Sequence, residues 1–275
     1  MQQLILTKQD LTYLSWSKTR NSSGTAGSFL KSSSEMGGGK TYYKLSNYDA
    51  FKGITGHECV NELIVDRLLG ILGVEHLPYH LIYADILVDE KVLTTYLCAS
   101  EDFKKPGESK TALDALYQIE RLENESPLAF CKRMGWAGFI YQMLAVDFII
   151  LNRDRHGANI EVLRSKKNKT IRPAPLFDHG LSLIFNCTDE SSVKAFDVME
   201  DKPVQCFVGS KSAYENLKMI PAESIPIFNP LKESDRSVLF EGLENALPDV
   251  WLDKIWEMLL KRWNYYADFC NQRRT

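Results

Sequence analysis

The spacing of apolar positions changes character several times along the chain. Residues 41–45 (TYYKL) form a β-branched and aromatic run that ends in the turn formers of SNYD, which predicts a strand. Residues 57–72 (HECVNELIVDRLLGIL) switch to helical spacing: Val60, Leu63, Ile64, Leu68 and Leu72 share one face, and Gly73 supplies a stop. Two strand-like runs follow, HLPYHLIYADI (76–86) and EKVLTTYLCA (90–99), joined by a tight turn at 88–91. After Ala99 the segment SEDFKKPGESK is polar and holds Pro-Gly, the composition of a hinge. Beyond it the period is mostly helical. TALDALYQIERL reads as one helix, and Ser126-Pro127 opens a long one that runs to Leu151, apolar nearly all round and so buried. NRDRHGANI (152–160) is a loop, followed by a strand (IEVL), a basic turn (SKKNK) and another short strand. Residues 231–247 and 250–270 are helical by period. The expectation is an α+β chain of two lobes: strand-rich residues 1–100 with one helix, and helix-rich residues 101–275.

Composition narrows the partners. The 275 residues carry a net charge of −3, which argues against a dedicated nucleic-acid binder. RSKKNK (164–169) and the terminal NQRRT are small basic clusters of the kind that solvated loops and tails carry. Six cysteines are spread without a CxxC pair, as expected of reduced thiols. No secretory signal is visible at the start. The longest apolar stretch, 136–151, is broken by Gln142 and Asp147 and is too short to span a bilayer. A soluble, cytoplasmic protein that acts away from membranes is expected.

The stretch SSSEMGGGKT (32–41) invites a nucleotide-binding reading. A P-loop needs G-x-x-x-x-G-K-[ST] opening a helix, whereas position 34 is Ser34 and the residues after Lys40 read as a strand. The Walker reading fails.

Chemistry concentrates further on. Asp154 and Asn159 stand five apart in the loop after the buried helix, and FDHG places Asp178 beyond the predicted strand pair. Phosphoryl transfer asks for a carboxylate near the attacking hydroxyl, oxygen ligands for Mg²⁺ and a cation on the phosphates. Asp154 supplies the carboxylate; Asn159 and Asp178 supply hard oxygen ligands suited to Mg²⁺. Upstream, Lys44 on the strand is the candidate phosphate lysine. Glu62 is its candidate partner in preference to Glu58, whose place in the first helical turn is explained by the macrodipole.

N-x-D-R-H-x-x-N followed by F-D-x-G resembles the HipA-like serine/threonine kinases, as does NELIVDRLLGILGV, in which Asn-Glu precedes an L-G-V end. The D-R-H-x-x-N and D-x-G pair also occurs in phosphoinositide lipid kinases. The resemblance covers roughly residues 30–185 and implies a bilobal protein-kinase-like fold using ATP and Mg²⁺. It makes Asp154 the catalytic base, Asn159 and Asp178 the metal ligands, and Lys44 with Glu62 the phosphate-binding pair. Gly37, Gly38 and Gly39 become a glycine-rich lid, and the backbone of Leu97, Cys98 and Ala99 the adenine hinge. Ser32, Ser33 and Ser34 become candidate autophosphorylation sites, while Arg155 and His156 hold the loop. The implied substrate is Ser or Thr of a protein, and the implied partner is antitoxin-like. The rivals are a phosphoinositide or small-molecule kinase, disfavoured by the acidic NCTDESSVKAFDVMEDKP after FDHG, and a silent pseudokinase module, disfavoured by retention of Lys44, Asp154, Asn159 and Asp178 together. The segment 203–220 has no account at this level.

Overall fold

The computed structural model describes residues 3–19, 26–36 and 39–274. Its first hundred residues build one sheet. The strands are β1 (Leu4–Asp10), β2 (Ser17–Thr19), β3 (Ala26–Met36) and β4 (Gly39–Leu45). A short ribbon, β5 (Tyr48–Asp49) with β6 (Gly53–Ile54), leads into helix α1 (Glu58–Leu72), and β7 (His80–Val88) and β8 (Lys91–Glu101) complete the sheet. The spatial order is β1-β7-β8-β4-β3-β2. Among the described residues of this sheet, only the β1–β7 pairing is parallel. Gly73 ends α1 at φ 74°, the left-handed geometry that favours glycine, and a Cβ there would lie 2.9 Å from Asn229 Nδ2. Nearly every α1 residue is buried, because the helix packs on β7 and β8 and also faces the second half of the chain.

The polar segment after β8 is not wholly hinge. Glu108–Ala112 forms β9, which joins β11 (Glu161–Ser165) and β12 (Thr170–Pro173) in a three-stranded sheet of order β12-β11-β9. Helix α2 (Leu113–Glu120) follows β9 directly. The long helix expected from Ser126 to Leu151 is two. Ser126 Oγ accepts from Ala129 N at 3.2 Å to cap α3 (Pro127–Arg133), and Gly135 at φ 79° ends that turn before α4 (Ala137–Ile150) begins. Hydrophobicity ran through the break, so period alone did not mark it.

The loop after α4 contains β10 (Asp154–Arg155). Helix α5 (Glu190–Ala195) precedes β13 (Gln205–Cys206), which pairs in parallel with β10, placing Gln205 opposite Asp154. The unexplained segment 203–220 thus supplies the strand that braces the 152–160 loop, continued by α6 (Ala213–Lys218). In the expected helix 231–247 only α7 (Asp235–Phe240) forms, since Gly242 at φ 75° turns the chain away; α8 (Asp249–Arg274) closes the fold. Buried Arg262 of α8 donates to the carbonyls of Phe148, Val198 and Glu200 at 2.9, 2.8 and 3.2 Å, and burial lowers its pKa to about 10. Among the described residues no helix is long and apolar enough to cross a membrane, and all six cysteines are free thiols.

Candidate active site

Strand alternation places Lys44 on the cleft side of β4, where the α1 side chains reach it. Lys44 Nζ lies 3.0 Å from Glu62 Oε1 and 2.5 Å from Asp178 Oδ1. Burial pulls the ammonium down, but Asp178 and Glu62 more than offset that, so Lys44 titrates well above the ordinary lysine value. Burial in turn raises Glu62. The other Glu62 oxygen accepts from His179 N at 2.7 Å. Asn61 donates to the carbonyls of Gly180 and Ser182 at 3.0 and 3.1 Å. The Asn-Glu pair of α1 is therefore a two-pronged grip on the chain that follows Asp178. Glu58, the rejected alternative, accepts from Asn47 N at 3.0 Å instead.

Asp178 sits at φ 56°, a left-handed conformation that Asp tolerates better than most residues. Its N–H donates to the buried Tyr79 hydroxyl at 3.2 Å. Gly180 is required by close approach: a Cβ there would stand 3.1 Å from Glu58 Cβ and 3.2 Å from both Glu62 Oε1 and Lys44 Nζ.

The residues of the 152–160 loop are organised by a charge that the apolar run conceals. Asp147, in α4, takes both Arg155 Nε and Nη2 at 2.9 Å, a bidentate pair with Arg155 only 1% exposed. Arg155 Nη1 then donates to the carbonyls of Asn159 and Phe177 at 3.0 and 2.9 Å, tying the loop to the residue before Asp178. Its Nη2 lies 3.2 Å from His179 Nδ1, and burial followed by Arg155 holds that imidazole neutral. Asn152 donates to Asp147 Oδ1 and accepts from Asp154 N, both at 3.0 Å. Asn159 Nδ2 donates to Asp154 O and Oδ2 at 2.9 and 3.2 Å, and His156 Nε2 stands 3.6 Å from Asp154 Oδ2. Lys44, Glu62 and Asp178 are thus in direct contact, as are Asp154 and Asn159, with Arg155 spanning the two groups. Asp147 and Tyr79 escaped sequence reasoning, and Asn61 entered only as part of the Asn-Glu motif, with no role given to it. The signal for Asp147 was a carboxylate inside an otherwise apolar helix.

Two expectations about the nucleotide end need correction. Gly37 and Gly38 lie outside the described residues. Met36 pairs with Gly39, so the glycine run is the connection of the β3–β4 hairpin. Gly39 is five strand residues, about 17 Å, from Lys44, so it does not lid the phosphates. The other end of β3 approaches instead, with the Phe29 ring 4.9 Å from Lys44 Nζ; the connection leaving that end, residues 20–25 (RNSSGT), lies outside the described residues. Ser32, Ser33 and Ser34 are strand residues opposite Tyr43, Tyr42 and Thr41, not members of a loop. Leu97, Cys98 and Ala99 sit inside the sheet between β4 and β7, so their backbone serves the ladder and not adenine. The cleft-edge residues are Glu101 to Phe103, a few positions later.

A six-stranded sheet carrying a lysine to a helix glutamate, set against a mainly helical half with a D-x-x-x-x-N loop and a second aspartate, defines a protein-kinase-like fold. No protein-family model and no curated protein matches the chain. Among solved structures it is similar to the Helicobacter pylori proinflammatory kinase CtkA, with a TM-score of 0.64 and 15% identity over 97% of each chain. At that identity the likeness shows the fold.

Proposed function

We propose that the chain is an ATP- and Mg²⁺-dependent phosphotransferase of the HipA-like type that phosphorylates Ser or Thr of a protein substrate and itself. One observation carries the reading: a single buried lysine is held by both Glu62 and Asp178, at 3.0 and 2.5 Å. A structural ion pair needs one carboxylate. Two around a buried ammonium leave negative charge at the mouth of a cleft, which suits a cation-bridged phosphate chain. That the similar structure is a kinase supports the same reading.

The donor set fits Mg²⁺: the Asn159 amide oxygen and the Asp178 carboxylate are hard ligands, few enough to leave places for phosphate oxygens. When bound, Mg²⁺ neutralises charge that develops on the transferred group. Lys44 orients the phosphates and is itself aimed by Glu62. Asp154, fixed by its own N–H on Asn152 and by the Asn159 amide, accepts the proton of the attacking hydroxyl. His156 and Arg155 touch Asp154 and the loop backbone, and their work is to hold this geometry.

Purified protein with radiolabelled ATP and Mg²⁺ is expected to autophosphorylate, and Asp154→Ala and Asp178→Ala to lose at least about 100-fold of that rate. Absence of nucleotide binding at millimolar ATP overturns the assignment.

A further inference from the structure

The six-stranded sheet has two faces, and the phosphate chemistry uses one. Lys44 points to the α1 face. Its neighbours on β4, Tyr43 and Leu45, point the other way and join Ile86, Val88 and Leu97 in a second core. The connection from β1 to β2 crosses this outer face, with Leu11 and Leu14 buried against it and Leu11 N donating to Asp85 O at 2.9 Å. Between this strap, the β5–β6 ribbon and the β7–β8 turn lies a cavity of about 710 Å³. Small-molecule sites run from roughly 300 to 1,000 Å³.

The cavity walls are Leu14, Leu30 and Val88 together with three aromatic residues, Tyr13, Trp16 and Tyr48. Asp89 and Glu90 complete the lining. They are the two central residues of the β7–β8 turn, at φ 50° and 62°, where Asn-Gly is the usual choice. The Tyr48 hydroxyl donates to Asp89 Oδ2 at 3.1 Å and fixes that carboxylate beside the ring. Among the described residues no Lys, Arg or His lines the cavity. Lys91, next along the turn, stands outside the lining, its Nζ donating to Ala50 O at 3.1 Å. The lining selects by charge. A phosphate or carboxylate would meet Asp89 and Glu90 with no counter-charge. A neutral apolar molecule would fill the walls and leave both carboxylates unanswered. An ammonium on an apolar body suits every part: the aromatic faces and the two carboxylates attract the charge, and the aliphatic wall buries the remainder.

We propose that this cavity is a binding site for an organic cation, an ammonium group carried on an aromatic or aliphatic body, on the sheet face opposite Lys44. The site stands independently of the phosphotransferase reading above.

The test is calorimetric titration of the full chain, free of nucleotide, with three probes that share one body: phenylbutylamine, phenylbutanol and phenylbutyrate. The amine is expected to bind about 5- to 10-fold more tightly than the alcohol, and the carboxylate more weakly than either. The double variant Asp89→Asn/Glu90→Gln keeps an acceptor for Tyr48, and it should bring the amine to within about 2-fold of the alcohol while leaving the alcohol unchanged. Ala50→Trp adds bulk to the lining from an exposed position and should abolish binding of both probes. Thermal melts that match wild type establish that each variant is folded. Three results each overturn the site: no amine binding at millimolar probe, equal binding of amine and alcohol by wild type, or amine binding that persists in both variants. The last of these would place the amine on the acidic cleft instead.

Discussion

Asp147→Asn removes one charge from the network under the 152–160 loop without changing shape. Asp147 is 8% exposed and Arg155 1% exposed, and two 2.9 Å bonds join them. The amide can still accept one Arg155 N–H, but the guanidinium is left buried without its counter-charge. Breaking a buried pair on one side costs about 3–5 kcal/mol. At about 2–4 °C per kcal/mol for a chain approaching this size, the melting temperature should fall by roughly 6–20 °C. Phosphotransfer measured well below the new melting point should fall as well, because Arg155 also holds the Asn159 and Phe177 carbonyls in place. The double variant Asp147→Leu/Arg155→Met separates the two effects. It exchanges the pair for apolar volume and should recover only part of the melting temperature, because Asn152 and both carbonyls lose a buried partner, and it should recover no activity. Calorimetry with a parallel radiolabel assay reads both quantities. A single variant that melts within about 2 °C of wild type, or a double variant that is fully active, refutes the argument that this pair carries the loop.

Two further outcomes follow from the same seam. His57 caps the buried start of α1 with Nε2 lacking a partner, and burial lowers its pKa to about 4. The unfolded chain takes up this proton near pH 6.5 and the folded chain only near 4, so stability is intact above about 6.5 and falls by about 3 kcal/mol as the pH drops to 4. The melting temperature of His57→Gln should show a correspondingly shallower acid decline, and parallel curves for the two proteins would contradict this origin. Gly180→Ala inserts a methyl 3.1–3.2 Å from Glu58, Glu62 and Lys44. Overpacking of about 1–3 kcal/mol should lower the melting temperature and, by shifting Lys44, reduce phosphotransfer more than Asp178-independent folding signals; unchanged turnover would show that the pair tolerates displacement.

The elements legible in the sequence were those whose period a single environment imposes. Helix α1 and strand β7 read correctly because each buries one side or both along nearly its whole length, and β8 because its β-branched and apolar run leads into the buried stretch Leu97–Ser100. Breaks set by one backbone residue did not show: Gly135 and Gly242 end helices inside runs whose apolar spacing continues through them. Lys44 and Glu62 could be selected because each lies on a periodic element in the right order. The lid and hinge could not, since both depend on which strand neighbours which. The pattern cannot tell that β3 precedes β4 through the glycine run, or that β8 lies inside the sheet, until the pairing is known. β9 was hidden for a similar reason: ESKTA is polar, and it is a strand only because β11 pairs with it.

Helix α1 holds the charged centre from several sides at once. At its first turn Glu58 accepts from Asn47 N, and one turn on Asn61 and Glu62 hold Gly180, Ser182 and His179. Next Asp66 accepts from Tyr79 N at 2.9 Å and pairs with His76, while Arg67 donates to the carbonyls of Leu239 and Glu241, both at 2.9 Å. Gln3, just before β1, bonds Asp66 and Arg67 at once. To withdraw Glu62 from Lys44, the helix must give up polar contacts on two sides of the molecule together. Loss of any one of them leaves buried groups unpaired at about 1–3 kcal/mol each. Such a helix does not swing as a unit at small cost, so in this chain the lysine–glutamate pair is a fixed part of the fold.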